Sequence, residues 1–315
     1  MSIHTHHEGE HESAYDVGLL GNDAHWAFGT SFEDPLAGVD TTVPDGVDPG
    51  TLAAYSLMLG DDALVLSHRL SEWCSRAPDL EEDIALANLA LDLLGQARLL
   101  LARAAAADPT LVPALPTGSP VPAEDALAFF RGDRELRNVR MAELPNGDFA
   151  ETVTRVLLLS VQRLAVLQRL SGSRDAVLAA VAAKGVKEVT YHRDFAGRWF
   201  LTLAQGTEES HRRLVAALAG LMPWWDELFT THPVEAEAAA AGVGVDPATV
   251  RAEADLVLDH LLATSGVERP QVRPRAGVRV DGQPRTGRDG VHTEALSRML
   301  AEMQSVARAH PLGRW

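Results

Sequence analysis

Three stretches of the chain place side chains with chemical capability at regular spacing. The first, His7-Glu8-Gly9-Glu10-His11, has the HExxH spacing of zinc proteases. There, two histidines one helical turn apart grip the metal and the glutamate activates its water. That chemistry needs a stable helix, and this stretch is polar, contains a glycine and offers no apolar face to hold one. The match is therefore formal, and the first fifteen or so residues are expected to be disordered. The second stretch carries Asp92 and Gln96, one turn apart in a strongly apolar helix, and the third carries Lys187, Glu188 and His192 within two turns. Charged groups inside apolar helices are rarely buried unless paired, so each lies on a narrow solvated stripe or belongs to a buried polar cluster. His192 taken alone reads as a satisfied core histidine.

Carboxylates and histidines on apolar helices invite a search for the di-iron carboxylate pattern. A bundle supplies one Glu from each of two helices and Glu-x-x-His from each of the other two. Spaced three apart, Glu and His project together and hold the same metal. Within the long apolar stretches 80–107, 148–170 and 173–204 no Glu-x-x-His occurs. Asp289 and His292 have the spacing but fall in the turn before the last helix, where they read as a cap. Glu151 is the last carboxylate of its helix and sits where a capping box needs it. A complete ligand set cannot be assembled.

The positioning elements are helices. Apolar residues make up 46% of the 315, while aromatics are 5%, so the core must come from Leu, Ala and Val, which lose little entropy in helices. A first helix is expected over 51–76. Asp79 and Glu82 have capping-box spacing and open a second over 80–107, apolar on nearly every side and hence expected to be buried all round. A short helix follows near 124–130. Asp148 and Glu151 open a third long helix to about 170, and a Ser173 cap a fourth to about 204. A fifth is expected over 207–231 and, after Asp246-Pro247, a sixth to about 263. The stretch Val278-Arg279-Val280-Asp281-Gly282 reads as a small hairpin, and Thr293 caps a last helix to about 309. The fold class is all-α, a bundle with its second and third long helices deepest. Residues 1–50 form a leader and 51–315 the helical domain; Asp23-Ala24-His25-Trp26-Ala27-Phe28 could dock on the body or a partner.

With 28 basic against 44 acidic residues the formal charge is −16, which repels nucleic acid and anionic lipid; neither is an expected partner. No run of eighteen consecutive apolar residues suggests a membrane span, and the N-terminus lacks the pattern of a signal peptide. A single cysteine, Cys74, excludes internal disulfides, fits a cytoplasmic setting, and reads as a small buried apolar side chain.

Longer words then carry a resemblance. Leu59-Gly60-Asp61-Asp62-Ala63-Leu64, Glu72-Trp73-Cys74, Asp83-Ile84-Ala85-Leu86-Ala87-Asn88, Asp92-Leu93-Leu94-Gly95-Gln96-Ala97-Arg98, Glu143-Leu144-Pro145-Asn146-Gly147-Asp148, Lys187-Glu188 with Tyr191-His192, and His292-Thr293-Glu294 follow in order. Over about 51–315 the chain resembles the structural, PaaC-type subunit of bacterial phenylacetyl-CoA epoxidase, a multicomponent ring-epoxidising monooxygenase. The resemblance implies a ferritin-like bundle with extra C-terminal helices. It also implies a paralogous catalytic subunit whose ligand helices read Asp-Glu-x-Gly-His and Glu-x-x-His. Laid on those words, Leu93 and Gln96 take the first Glu and His, and Val189 and His192 take the second pair. Only His192 retains a ligand side chain, so a degenerate di-iron site is expected. Leu93 and Val189 would refill it with apolar volume, and Asp92, Gln96, Lys187, Glu188 and His192 with a polar cluster in which Lys187 supplies the positive charge.

What the resemblance implies is a cytoplasmic subunit with no catalytic residues or cofactor of its own. It would pair with and stabilise the di-iron subunit, with other subunits and acyl-CoA at the interface, in aerobic phenylacetate degradation. A stand-alone acyl-CoA-binding module and a divergent di-iron oxidase are the alternatives.

Overall fold

The computed structural model describes residues 36, 38–275, 279–280 and 283–313. The expectations for the His-rich stretch and for residues 23–28 fall outside them. Helix α1, Pro49–Ser71, starts two residues earlier than expected because Asp48 caps it, accepting from the Thr51 amide at 2.7 Å, with Pro49 at the first turn. It ends five residues earlier than expected: a run of tight turns follows, and Ser75 adopts a left-handed φ of 66° that no α-helix continues through. Cys74 therefore lies in this turn and is exposed, not buried. Helix α2, Leu80–Ala107, is capped by Asp79, which accepts from the amides of Glu81 and Glu82 at 3.1 and 3.2 Å.

Two short helices follow, α3 (Ala123–Phe129) and α4 (Arg140–Glu143). Asp148 caps α5, Phe149–Leu170, through the Glu151 amide. The cap of α6, Ala176–Gln205, is Asp175 and not Ser173. Ser173 instead accepts from the Asp175 amide and donates to the Val243 carbonyl. Helix α7, Glu208–Leu221, stops short of the expected residue 231, because Pro223 turns the chain into a 3-10 segment, Met222–Phe229, that buries Trp224 and Trp225. A helix missing from the expectation, α8 (Pro233–Ala240), comes next. Asp246 and Pro247 open a 3-10 turn that runs into α9, Arg251–Ser265, closed by left-handed Gly266. Strands β1 (Arg279–Val280) and β2 (Gln283–Pro284) pair antiparallel where the hairpin is expected. Helices α10, Glu294–Met303, and α11, Ser305–Ala309, finish the described chain.

Helix α1 packs along α2, α5 along α6, and α2 against α6, with α7 and α9 covering the α5–α6 pair. The deepest elements are α1 and α5, whose residues are buried on nearly every side. This corrects the expectation for α2: one face is buried and the other leaves Ile84, Leu91 and Leu94 exposed. Among the described residues α2 is the one helix long and apolar enough to cross a membrane. Gln96 and Arg103, on its inner side, are committed to bonds within the bundle.

Buried ion pairs tie the later segments to this bundle. Asp61 of α1 holds Arg131, Asp62 holds Arg288 at 2.8 Å, and Arg140 meets Glu227 at 2.7 Å. Glu143, fully buried, accepts from Asn138 Nδ2, from the Thr293 amide and from His292 Nδ1 at 2.7 Å. The Nε2 of His292 faces the Leu136 carbonyl at 3.0 Å. With acceptors at both ring nitrogens, the ring bonds fully only as imidazolium. Burial opposes that charge, but the hydrogen bond and charge of Glu143, the Leu136 carbonyl and Asp61 outweigh it and raise the histidine above its ordinary value of 6.5. A raised folded-state value means that the stabilisation is complete below pH 6.5 and is lost as pH climbs through the raised value. Denaturant unfolding measured from pH 6 to 9 should show wild-type stability falling over this range by about 1 kcal/mol, while His292→Gln removes that part of the slope.

Candidate functional site

The buried face of α2 presents Leu89, Leu93, Gln96 and Leu100 to the bundle, spaced three or four apart as one helical stripe requires. Helix α6 runs beside it in the opposite direction, as two cross-contacts show. Gln96 Nε2 donates to Glu188 Oε2 at 2.8 Å, and Asp92 Oδ2 lies 3.1 Å from His192 Nε2. Gly185 lies at this approach. A methyl group there would lie 3.0 Å from Leu167, which would have to shift, and 3.4 Å from the Gln96 amide carbon, an ordinary contact.

The four positions laid on the ligand words thus gather around the α2–α6 seam. Leu93 and Val189 are buried apolar side chains. Gln96 is buried and its amide is engaged on both sides: Oε1 accepts from Arg163 Nε at 3.0 Å and Nη2 at 2.8 Å, while Nε2 serves Glu188. Lys184, one turn before Glu188, pairs with that carboxylate. His192 is buried; Asp92, its partner, is partly open to solvent. Lys187 does not enter this group. It is exposed and makes no ion pair among the described residues, because its position on α6 turns it away from α2.

The positive charge comes instead from Arg163 of α5, which the spacing of the candidate residues does not single out. Its guanidinium is buried, and its Nη1 also reaches the Leu59 carbonyl of α1 at 3.3 Å. Burial pushes its proton affinity below the ordinary arginine value, opposed by the charges of Asp62 and Glu188. The group stays charged nonetheless, since arginine titrates far above neutrality. A signal for it does exist: Arg163 interrupts the apolar run Val161 to Leu167, as Asp92 and Gln96 interrupt theirs.

This donor set does not fit a pair of iron ions. Two carboxylate positions are hydrocarbon, one histidine position is an amide already bonded to a guanidinium, and Glu188 is paired with Lys184 and bonded by Gln96. A fixed cation would repel a divalent metal at the same place. Among the described residues one Glu-x-x-His does occur elsewhere, Glu208 to His211, but it lies on the first turn of α7. There Glu208 is exposed and His211 Nδ1 meets the Ala204 carbonyl at 2.9 Å, so the pair does not face the seam. What the seam does is join α1, α2, α5 and α6 through one chain of charge-assisted hydrogen bonds. Replacing Arg163 by Ala should lower unfolding free energy by about 1–3 kcal/mol, because Gln96 Oε1 loses its donors in a dry site. Arg163→Met, which keeps volume, should cost less than Arg163→Ala; urea titration of both variants checks the order.

Comparison with known proteins bears on which family builds such a seam. The family model described as phenylacetic acid catabolic protein (PaaA_PaaC) matches residues 40–315. A curated relative from Escherichia coli (strain K12), the C subunit of 1,2-phenylacetyl-CoA epoxidase, is 41% identical over 266 residues, which covers 84% of this chain and 99% of the relative. The family match therefore begins eleven residues before the span on which the sequence resemblance rests. It takes in Thr41 and Thr42, whose carbonyls Arg103 holds, and the Asp48 cap. On the extent of both matches, the chain belongs to the PaaA/PaaC family of phenylacetic acid catabolic proteins.

Proposed function

We propose that this chain is the non-catalytic structural subunit of a phenylacetyl-CoA-epoxidising complex in the bacterial cytoplasm. Its role is to pair with, and hold in shape, a catalytic subunit that carries the di-iron centre. The observation that supports this reading best is the Arg163–Gln96–Glu188 chain, which engages the ligand position at Gln96 from both sides with bonds that do not yield to a metal. A subunit that stabilises another must keep its own shape without a cofactor. The filled seam does so by cross-linking four helices through side chains alone. The family match, and a relative named as one subunit of an epoxidase, support placing it in such an assembly. In this reading O2 chemistry and ring epoxidation belong to the partner, and this chain performs no step of them. Other subunits of the complex, and the acyl-CoA near the shared interface, complete the assembly.

Co-expression with the catalytic subunit, followed by size exclusion, tests the assignment. The expected outcome is a stable heteromer in which iron follows the catalytic chain. Phenylacetyl-CoA epoxidation, supplied with a reductase, should need both chains. Stoichiometric iron in this chain purified alone, with O2 consumption, would return it to the di-iron oxidases and overturn the proposal. Calorimetric titration of the chain alone with phenylacetyl-CoA separates the remaining reading: tight binding without a partner would make it a stand-alone acyl-CoA module.

A further inference from the structure

Helix α2 carries two apolar faces, and the bundle uses one. On the other, Leu80 is 68% exposed, Ile84 53%, Leu91 49% and Leu94 41%. Spacings of four, seven and three put these side chains in one stripe along about four helical turns. Large apolar groups scattered singly over a surface need no explanation; four on one side of one helix form a patch that water disfavours.

A second observation says what kind of object covers the stripe. Gly95 lies within it, and a methyl group built there would meet nothing within 4 Å. Glycine is a poor helix former, and nothing inside this chain requires its smallness at that position. It leaves room for close approach from outside: a helix packed lengthwise on α2 comes closest where a side chain is missing. Gly185, by contrast, is filled against from within the chain.

The stripe's N-terminal end also has a charge signature. Asp79, Glu81 and Glu82 bring ligand oxygens within 4.8 Å of one another at the start of α2. Asp79 accepts the cap amides of α2, and among the described residues no lysine, arginine or histidine forms an ion pair with the three carboxylates. Asp79 and Glu82 are drawn apart in acidity: hydrogen bonds lower Asp79, and the Asp79 bond raises Glu82. Such crowding is relieved by a cation arriving from elsewhere.

We infer that the outer face of α2 is the docking surface for one helix of the catalytic partner, a helix with an apolar stripe and a lysine or arginine placed against the Asp79–Glu81–Glu82 end. This rests on the subunit reading above and adds to it the place of contact and the chemistry of the partner's surface. The Arg163 chain then has a further consequence: it fixes the helix that the partner lands on from behind, through Gln96, one residue from Gly95.

The test uses the full chain and the separately purified catalytic subunit, with affinity measured by calorimetry at low and at raised salt. Gly95→Trp places bulk where the fold leaves open space, so its thermal unfolding should match wild type while affinity for the partner falls about 100-fold. Glu81→Lys should weaken binding about 10-fold at low salt and flatten its salt dependence. Leu256→Arg, an exposed apolar position on α9, should change neither. Wild-type binding to the partner that survives Gly95→Trp unchanged would overturn the docking face and leave the subunit assignment standing. No binding of wild type would overturn both. Self-association of the chain alone that Gly95→Trp abolishes would assign the face to a second copy and overturn the partner proposal.

Discussion

A buried amide with two engaged sides holds this bundle in register. Gln96 has an acceptor that Arg163 fills and a donor that Glu188 fills, and neither neighbour can be moved without leaving a polar group dry and unpaired. The cost of breaking this arrangement constrains three helices at once. Helix α6 must come close enough for Glu188 to reach, with Gly185 leaving room for Leu167; α5 must present Arg163 at one height; and α2 must turn Leu93 inward. The choice of which face of α2 remains outside is settled by the same geometry.

The chemistry of the seam and its structural role are therefore one matter. In a bundle that binds two metal ions, the charges of the ions and of their carboxylates cross-link the helices. Here a guanidinium and a carboxylate bridged by an amide do so, with hydrocarbon at Leu93 and Val189. Such a centre is built from this chain's own side chains. That property suits a chain whose proposed contribution is shape. The outward apolar face of α2 follows as a complement, since a helix braced from inside can offer its other side to a neighbour without shifting.

The C-terminal half uses a different device. Asp61, Glu143 and Glu227, which are buried, and Asp62, which is partly so, each receive an arginine or a histidine from a segment distant in sequence. Buried pairs of this kind contribute little net stability relative to well-packed hydrocarbon, but they penalise every wrong docking of the later segments. This gives the segments between α3 and α5, and those after α6, a defined place on a core that apolar packing alone would leave less specific. Arg155, burial of which pushes it down to about 10, does the same locally by donating to the Leu144 carbonyl and to Asn146 before α5.

Much of the helical order was legible in the residues alone. Asp79, Asp148 and Thr293 each precede an apolar run and each caps a helix. The absence of Glu-x-x-His from the long apolar helices α2, α5 and α6 is likewise a property of the string. Local rules suffice there, because a cap or a ligand pair spans one turn. Where a side-chain hydroxyl and a carboxylate lie two residues apart, as in Ser173 and Asp175, local rules misplace the cap, since the choice depends on Val243 drawing Ser173 away. The tertiary structure alone decided that α2 is two-faced, that Lys187 looks outward and that Arg163 supplies the cation. Those outcomes join residues 67 and 92 positions apart. Periodicity states which residues share a face of one helix; only packing states what that face meets.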